Sequence, residues 1–385
     1  MIISRRIFIA GSTSLAVAAP LSVAGMARAG MAARPKTNLV VVMLRGGMDA
    51  MTAAPFIGND TLKAARPDLL VKKPISITGD FALHPKLPNF KNLWDEGRAS
   101  VFHATSIPYT GRSHFEGQNL MESGGTKPYA DSTGWLGRAL EEVAGRKSLS
   151  ISLPMPLILR GARDLDNFMP AKNPLPQDHL LDLLTADYAD DPDLAEAMAR
   201  IRKRPLAMGS MNGGGDDVET LARIAGNQLA DPDGPSIAVF DIGGFDTHSA
   251  QGSDVGEHAN QLRQFDQIIG TLRATMSNSF DNTIIVSLTE FGRTVKQNGG
   301  SGTEHGYGTA ILMAGGLLPN SRILGDWPGL TKNKLYEGRD LNATIDARAV
   351  YAATLARVLN TGHKQIVDTA FFGADLPDLT KHIFA

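Results

Sequence analysis

The chain has no cysteine in 385 residues. That excludes a disulfide scaffold, a thiolate-held zinc or iron–sulfur site and a thiol nucleophile. It also has no basic excess, since 38 Lys and Arg stand against 40 Asp and Glu, a net charge of −2. Such a surface offers little to a phosphate backbone, so nucleic acid is not an expected partner. Past residue 30 no apolar run reaches the roughly 18 residues a membrane span needs, and no stable span is expected in the mature chain. Repeats of roughly 20–50 residues are absent. So are Gly-x-x-x-x-Gly-Lys-Ser/Thr, Gly-x-Ser-x-Gly, His-Glu-x-x-His, and a Gly-x-Gly-x-x-Gly after the first apolar strand. These gaps count against a P-loop enzyme, an ordinary α/β-hydrolase, a His-Glu-x-x-His protease and a dinucleotide fold, and no nucleotide cofactor is expected.

What is present reads as globular: 43% hydrophobic and 20% charged residues, with 40 Gly and 21 Pro implying many loops around a regular core. The first 30 residues read as an address. Ser4-Arg5-Arg6-Ile7-Phe8 is a twin-arginine pattern, a mildly apolar Ala/Gly/Ser-rich stretch follows, and Ala27-Arg28-Ala29 offers small residues for cleavage. The expectation is a signal peptide at 1–29 and export by the Tat translocase to the periplasm or beyond. An ordinary secretory signal or uncleaved anchor is the plainer alternative. Loss of 1–29 would leave 35 basic against 40 acidic residues.

Apolar, β-branched runs suited to strands buried on both faces lie at Asn38–Leu44, Ala99–Ala104, Ser148–Leu153, Ser236–Asp241, Thr283–Thr289 and Thr309–Ala314. Helical spacing fits Leu87–Glu96, Gly134–Val143, His258–Met276 and a segment capped by Thr344 or Asp346 that stops near Gly362. The alternation predicts an α/β sandwich: a mostly parallel central sheet with helices on both faces. The Pro/Asp/Gly/Met-rich stretch of about 164–215, with helices expected at Gln177–Tyr188 and Asp193–Lys203, reads as an insertion or lid within a domain spanning 37–385.

Polar groups cluster beside these strands: Arg45–Asp49, Thr110–Gln118, Gly243–His248, Thr289–Arg293 and Glu304–Gly308. Ligands of open parallel sheets bind beyond the carboxyl ends of the strands, which would gather four of the five at one rim. Asp246, His248 and His305 form a set of oxygen and imidazole donors suited to zinc, manganese, calcium or iron. The bland reading is that the two histidines bond loop backbone. Ser113 could be a nucleophile, with Arg112 or Arg293 steadying an anionic oxygen. Equally, Ser113 with Glu116 three residues on is a capping-box pattern. Glu290 and Arg293 could be a salt bridge alone, and Asp49 a turn residue. His84, His103, His179, His258, His363 and His382 are expected to be structural.

LRGGMDA at 44–50, GRSHFEGQNLMESG at 111–124, GGFDTHSAQG at 243–252, TEFGRTVKQNG at 289–299 and GTEHGYG at 302–308 occur in an order that resembles the DUF1501 family. This is a bacterial family of exported proteins, related to the alkaline phosphatase/sulfatase superfamily. The resemblance implies an alkaline phosphatase-like sandwich with metal ligands and a Ser/Thr-type nucleophile at the strand ends. Ser113 falls at the nucleophile position, Asp246 and His248 at the middle Asp and His, and His305 at the last His. Glu290 falls at the first member of an Asp-His pair. Two departures follow: glycine stands where the first acid belongs, with Asp49 a few residues late, and Phe291 stands where a histidine would follow Glu290. One metal set is thus largely present, and the second is reduced to Asp49 and Glu290. Two function classes remain. One is an exported, metal-dependent hydrolase of a small-molecule or polymer phosphate, sulfate or related ester. The other is a non-catalytic secreted or periplasmic binding or assembly protein. A phosphomutase-like transfer fits less well, because it too needs two metals.

Overall fold

Asn38–Leu44 carries no polar residue after Asn38 and forms strand β1 (Asn38–Leu44), buried along its length. Such a strand needs cover on both sides. Leu39, Val41 and Met43 join one hydrophobic cluster, and Val40, Val42 and Leu44 join the other. The computed structural model describes residues 36–142, 146–152, 154–168, 178–192, 194–195, 198–199 and 217–385. The expected signal peptide lies outside the described residues, as do most of the expected helix Asp193–Lys203 and the end of the 164–215 stretch.

β2 (Ile75–Ser76) and β3 (Ala82–Leu83) make a small antiparallel pair. The main sheet contains β1, β4 (Ala99–Ser106), β5 (Ser148–Ile151), β6 (Leu165–Asn167), β7 (Ile237–Ile242), β8 (Thr283–Leu288), β9 (Thr309–Ala314), β10 (Arg322–Leu324) and β11 (Ile345–Asp346). Its order is β10-β4-β9-β8-β1-β7-β5-β6, with β11 pairing β4. Every pairing is parallel except those of β9, which runs antiparallel to both β4 and β8.

Helices cover both faces. The helices are α1 (Ala50–Ala53), α2 (Asp60–Ala65), α3 (Pro88–Asp95), α4 (His114–Ser123), α5 (Trp135–Glu141), α6 (Asp178–Asp187), α7 (Val218–Ala230), α8 (Glu257–Met276), α9 (Ala347–Leu359), α10 (His363–Ala370) and α11 (Thr380–Phe384). α4, α5, α9, α10 and α11 add buried residues to the cluster of Leu39, and α3, α7 and α8 to that of Val40. The α/β sandwich expected from the sequence is therefore the fold. Asp346 is the cap of α9, its carboxylate accepting from the Arg348 amide at 2.9 Å. That helix stops at Asn360 in a left-handed conformation, two residues before Gly362. The 164–215 stretch is not wholly outside the sheet, because Leu165–Asn167 pairs in parallel with β5 as an edge strand. α6 within it has no buried residue.

The antiparallel course of β9 decides where chemistry collects. The loops after β1, β4, β7 and β8 leave the carboxyl rim. β9 enters from that same rim, so the Glu304–Gly308 group preceding it joins the other four. Ile311 and Leu312 are neighbours on β9 buried in opposite clusters. Ile311→Ala and Leu312→Ala should each cost about 2–5 kcal/mol in denaturant unfolding. A large cost for only one of them would contradict a sheet covered on both faces.

Candidate functional site

Three imidazoles converge on one carboxylate at the rim. The Nε2 atoms of His248, His305 and His114 lie 3.0, 3.1 and 3.2 Å from Asp246 Oδ1, and His248 Nε2 lies 2.9 Å from His305 Nε2. All four residues offer donor atoms within 4.8 Å of one another. Each ring is held from behind. His305 Nδ1 donates to the Arg112 carbonyl at 2.7 Å, His114 Nδ1 to Glu290 Oε1 at 2.8 Å, and His248 Nδ1 to Glu304 Oε2 at 2.9 Å. These acceptors carry no proton to give, so the hydrogen sits on Nδ1 and a neutral ring presents a bare Nε2. Lone pairs and a carboxylate oxygen packed this closely repel unless a cation lies among them.

A metal ion fits that demand. The second bond from each ligating imidazole to a carboxylate or carbonyl is the usual support of a metal-bound histidine. Zinc bonds of about 2.0 Å to nitrogen place tetrahedral ligands about 3.3 Å apart, close to the spacings here. His114 Nε2 is buried and, although 3.2 Å from Asp246 Oδ1, makes no well-aligned hydrogen bond. Asp246 and His248 have side chains 43% and 41% exposed, so the centre is open on their side. Burial pushes the His114 ring down, but the bonds and charges of Glu290 and Asp246 outweigh it and the net shift is upward. Burial holds His305 below its ordinary value. Burial also raises Asp246, yet the Arg293 bond and the nearby rings leave it lowered.

The loops reach each other because glycines line them. Gly46, at φ +113°, has no room for a Cβ, which would stand 2.3 Å from the Asp246 amide. Gly302 is likewise pressed on the His248 backbone, 2.3 Å from a built Cβ. Phe291, buried, lies with its ring centroid 4.9 Å from those of His114 and His305 and makes an apolar floor.

The structure brings Asp246, His248 and His305 together, and of the other candidates Arg293 and the Arg112 carbonyl bond directly to them. Glu290 stands behind His114: its Oε1 accepts from the ring, from the Gly46 amide at 2.8 Å and from Gln118 Nε2 at 3.0 Å. Asp49 is fully buried away from the cluster, because it caps α1 and pairs with buried Arg66 at 2.5 Å. Its carboxylate also accepts from Thr52 and from Gln251 at 2.7 Å. Arg293 is buried and donates to Asp246 Oδ1 at 2.9 Å, and Arg112 is paired with Glu337 and Asp340. Ser113 is the N-cap residue of α4, but its hydroxyl makes no capping bond. The capping box is not formed, because Tyr109 intervenes: its hydroxyl accepts from the Ser113 amide and donates to Glu116.

His114 is the member of this possible metal-binding group that the sequence did not single out. Its signal was a third histidine in a glycine-flanked loop beyond a strand, overshadowed by the serine beside it.

The model of the family described as "Protein of unknown function (DUF1501)" matches residues 36–370. The chain belongs to the DUF1501 family. No curated protein matches it. Among solved structures, this DUF1501 protein is similar to Ps i-CgsB in complex with k-i-k-neocarrahexaose, at 11% identity over 90% of this chain and 76% of that one, TM-score 0.45. It is also similar to the PsFucS1 sulfatase from Pseudoalteromonas sp., at 14% identity over 91% and 72%, TM-score 0.43. A protein in the alkaline phosphatase superfamily from Vibrio parahaemolyticus gives 13% identity over 90% and 70%, TM-score 0.42.

Behind the cluster runs a buried polar chain. Arg293 Nε donates to Thr303 Oγ1, Thr303 to Gln251 Oε1, and Gln251 Nε2 to Asp49. His258 Nε2 accepts from the Asp49 amide at 3.1 Å. Burial pushes His258 down to about 3. Burial would raise Asp49, but Arg66 and His258 outweigh it and hold the carboxyl at about 2. The unfolded chain therefore binds a proton at His258 below pH ~6.5 that the folded chain refuses until about 3, so stability present above ~6.5 falls as pH drops. Between these values the slope of unfolding free energy against pH should be shallower in His258→Gln by about 1.4 kcal/mol per pH unit. An unchanged slope in urea titrations would remove His258 from the account. Gly46→Ala should lower stability by more than about 1 kcal/mol and displace Asp246, weakening divalent-metal binding measured by calorimetry. Wild-type values for both would contradict the packing described.

Proposed function

We propose that this DUF1501 protein is an exported, metal-dependent hydrolase of a phosphate, sulfate or related ester, carried by a small molecule or a polymer. The observation that carries the reading is the convergence of His114, Asp246, His248 and His305, each ring braced at Nδ1. These four residues would hold one divalent ion. Such an ion supplies Lewis-acid polarisation of the ester and stabilisation of developing negative charge. Ser113 precedes the ligand His114 at the start of α4, and its hydroxyl is not spent on capping, so it is the group offered for attack. Arg293 steadies Asp246, and Arg112 supports His305 through its carbonyl, so both serve the centre before they could serve an anion. Export through the Tat route to the periplasm or medium is supported by Ser4-Arg5-Arg6-Ile7-Phe8 and Ala27-Arg28-Ala29. Among the described residues no helix is long and apolar enough to cross a membrane.

One observation favours the second reading, a non-catalytic binding or assembly protein. The acids left for a second ion, Asp49 and Glu290, are both engaged, by Arg66 and by His114. Two-ion ester chemistry is therefore not available from them. Protein purified without chelator should carry about one divalent metal per chain by elemental analysis and turn over at least one member of an aryl phosphate and aryl sulfate panel. Ser113→Ala should keep the metal and lose about 10³-fold or more in rate. Metal-loaded protein inert on every ester would support the binding reading, and metal-free, inert protein would overturn the hydrolase.

A further inference from the structure

Asp340 belongs to none of the sequence groups singled out above, yet it is a fully buried carboxylate beside the centre. Its Oδ1 accepts from Arg339 Nε at 2.8 Å, and its Oδ2 from Arg112 Nη2 at 2.9 Å and Arg339 Nη2 at 3.1 Å. The backbone around it is fixed too. The Asp340 amide donates to the Tyr336 carbonyl at 3.0 Å, the Tyr336 amide donates back at 2.9 Å, and Asp340 bridges to Thr294 next to Arg293.

Both arginines held by Asp340 hold His305 in turn. The Arg112 carbonyl takes the His305 Nδ1 proton, and Arg339 Nη2 donates to the His305 carbonyl. Arg112 is also at φ +57°, a left-handed conformation that non-glycine residues adopt only when surroundings impose it. Its side chain is tied by ion pairs to Asp340 and to half-exposed Glu337. The carbonyl of a residue so held has a fixed direction, and the ring that bonds to it inherits that direction.

We propose that Asp340 is a positioning residue of the metal centre: by pairing with Arg112 and Arg339 it fixes His305 by ring and by backbone, and so sets where His305 Nε2 points. The proposal rests on the metal-centre reading. A merely structural buried acid would give stability without touching His305, and Asp266 supplies that comparison. It is 2% exposed and accepts from the Asn89 and Phe90 amides at the start of α3.

The test uses the full mature chain with ¹⁵N-labelled histidine. Ring spectra are recorded without metal, and zinc affinity is measured by calorimetry. In Asp340→Asn one ring of the converging set should lose its fixed Nδ1–H signature, and zinc binding should weaken about tenfold or more. Asp266→Asn should lose thermal stability with ring spectra and zinc affinity unchanged. If Asp340→Asn does not fold, Arg339→Gln, at a half-exposed position, should show the same ring change with a smaller affinity loss. Unchanged rings and affinity in the folded variants, or equal losses in Asp266→Asn, would overturn the proposal. Wild-type protein that binds no zinc would instead refute the metal reading, and the ring spectra would still decide the positioning role.

Discussion

Glu290, Glu304 and the Arg112 carbonyl each take the Nδ1 proton of one histidine, which leaves three Nε2 atoms gathered 3.0–3.2 Å from one oxygen of Asp246. The rest of the rim exists to impose that arrangement. It is costly in a folded protein, since electron-rich atoms are pressed together, and it is relieved by one cation. Without a metal, a proton on His114 is the natural relief, in line with the upward shift that Glu290 and Asp246 give that ring.

The cost is borne by packing that leaves the loops no alternative. Asp246 is set by the close approach of Gly46 and by Arg293, which is tied through Thr303 and Gln251 to Asp49 and Arg66. Every member of that chain behind Asp246 is buried, so each must have its partner, and the loss of one leaves another charge or amide stranded. The same closure occupies two acids at strand ends: Asp49 pairs with the buried Arg66 guanidinium, and Glu290 accepts from His114 Nδ1.

The fold was legible where the sequence is most one-sided. NLVVVML and TIIVSL suit strands covered on both faces, and their ends placed the chemistry at the carboxyl rim. The direction of β9 was not legible, because an apolar run such as TAILMA reads alike in both senses, and its reversal is what brings His305 to the others. Asp246, His248 and His305 could be picked out as donors in glycine-rich loops. His114 could not be ranked above Ser113 beside it, since ring orientation depends on Glu290, far away in sequence. The surroundings of Asp49 were hidden for a similar reason: an acid after a strand looks the same whether it faces a site or a buried Arg66. The Ser113–Glu116 spacing promised a capping box, but Tyr109 stands between the two.

The most direct measurement is an anomalous-scattering map from crystals of the natively purified protein, recorded across the edges of zinc, manganese and iron. The account predicts a single strong peak bounded by His114 Nε2, His248 Nε2, His305 Nε2 and an Asp246 carboxylate oxygen, and no peak at Asp49. A map without a peak among those atoms after incubation with each metal, or one with an ion at Asp49 in place of the Arg66 pair, would contradict it.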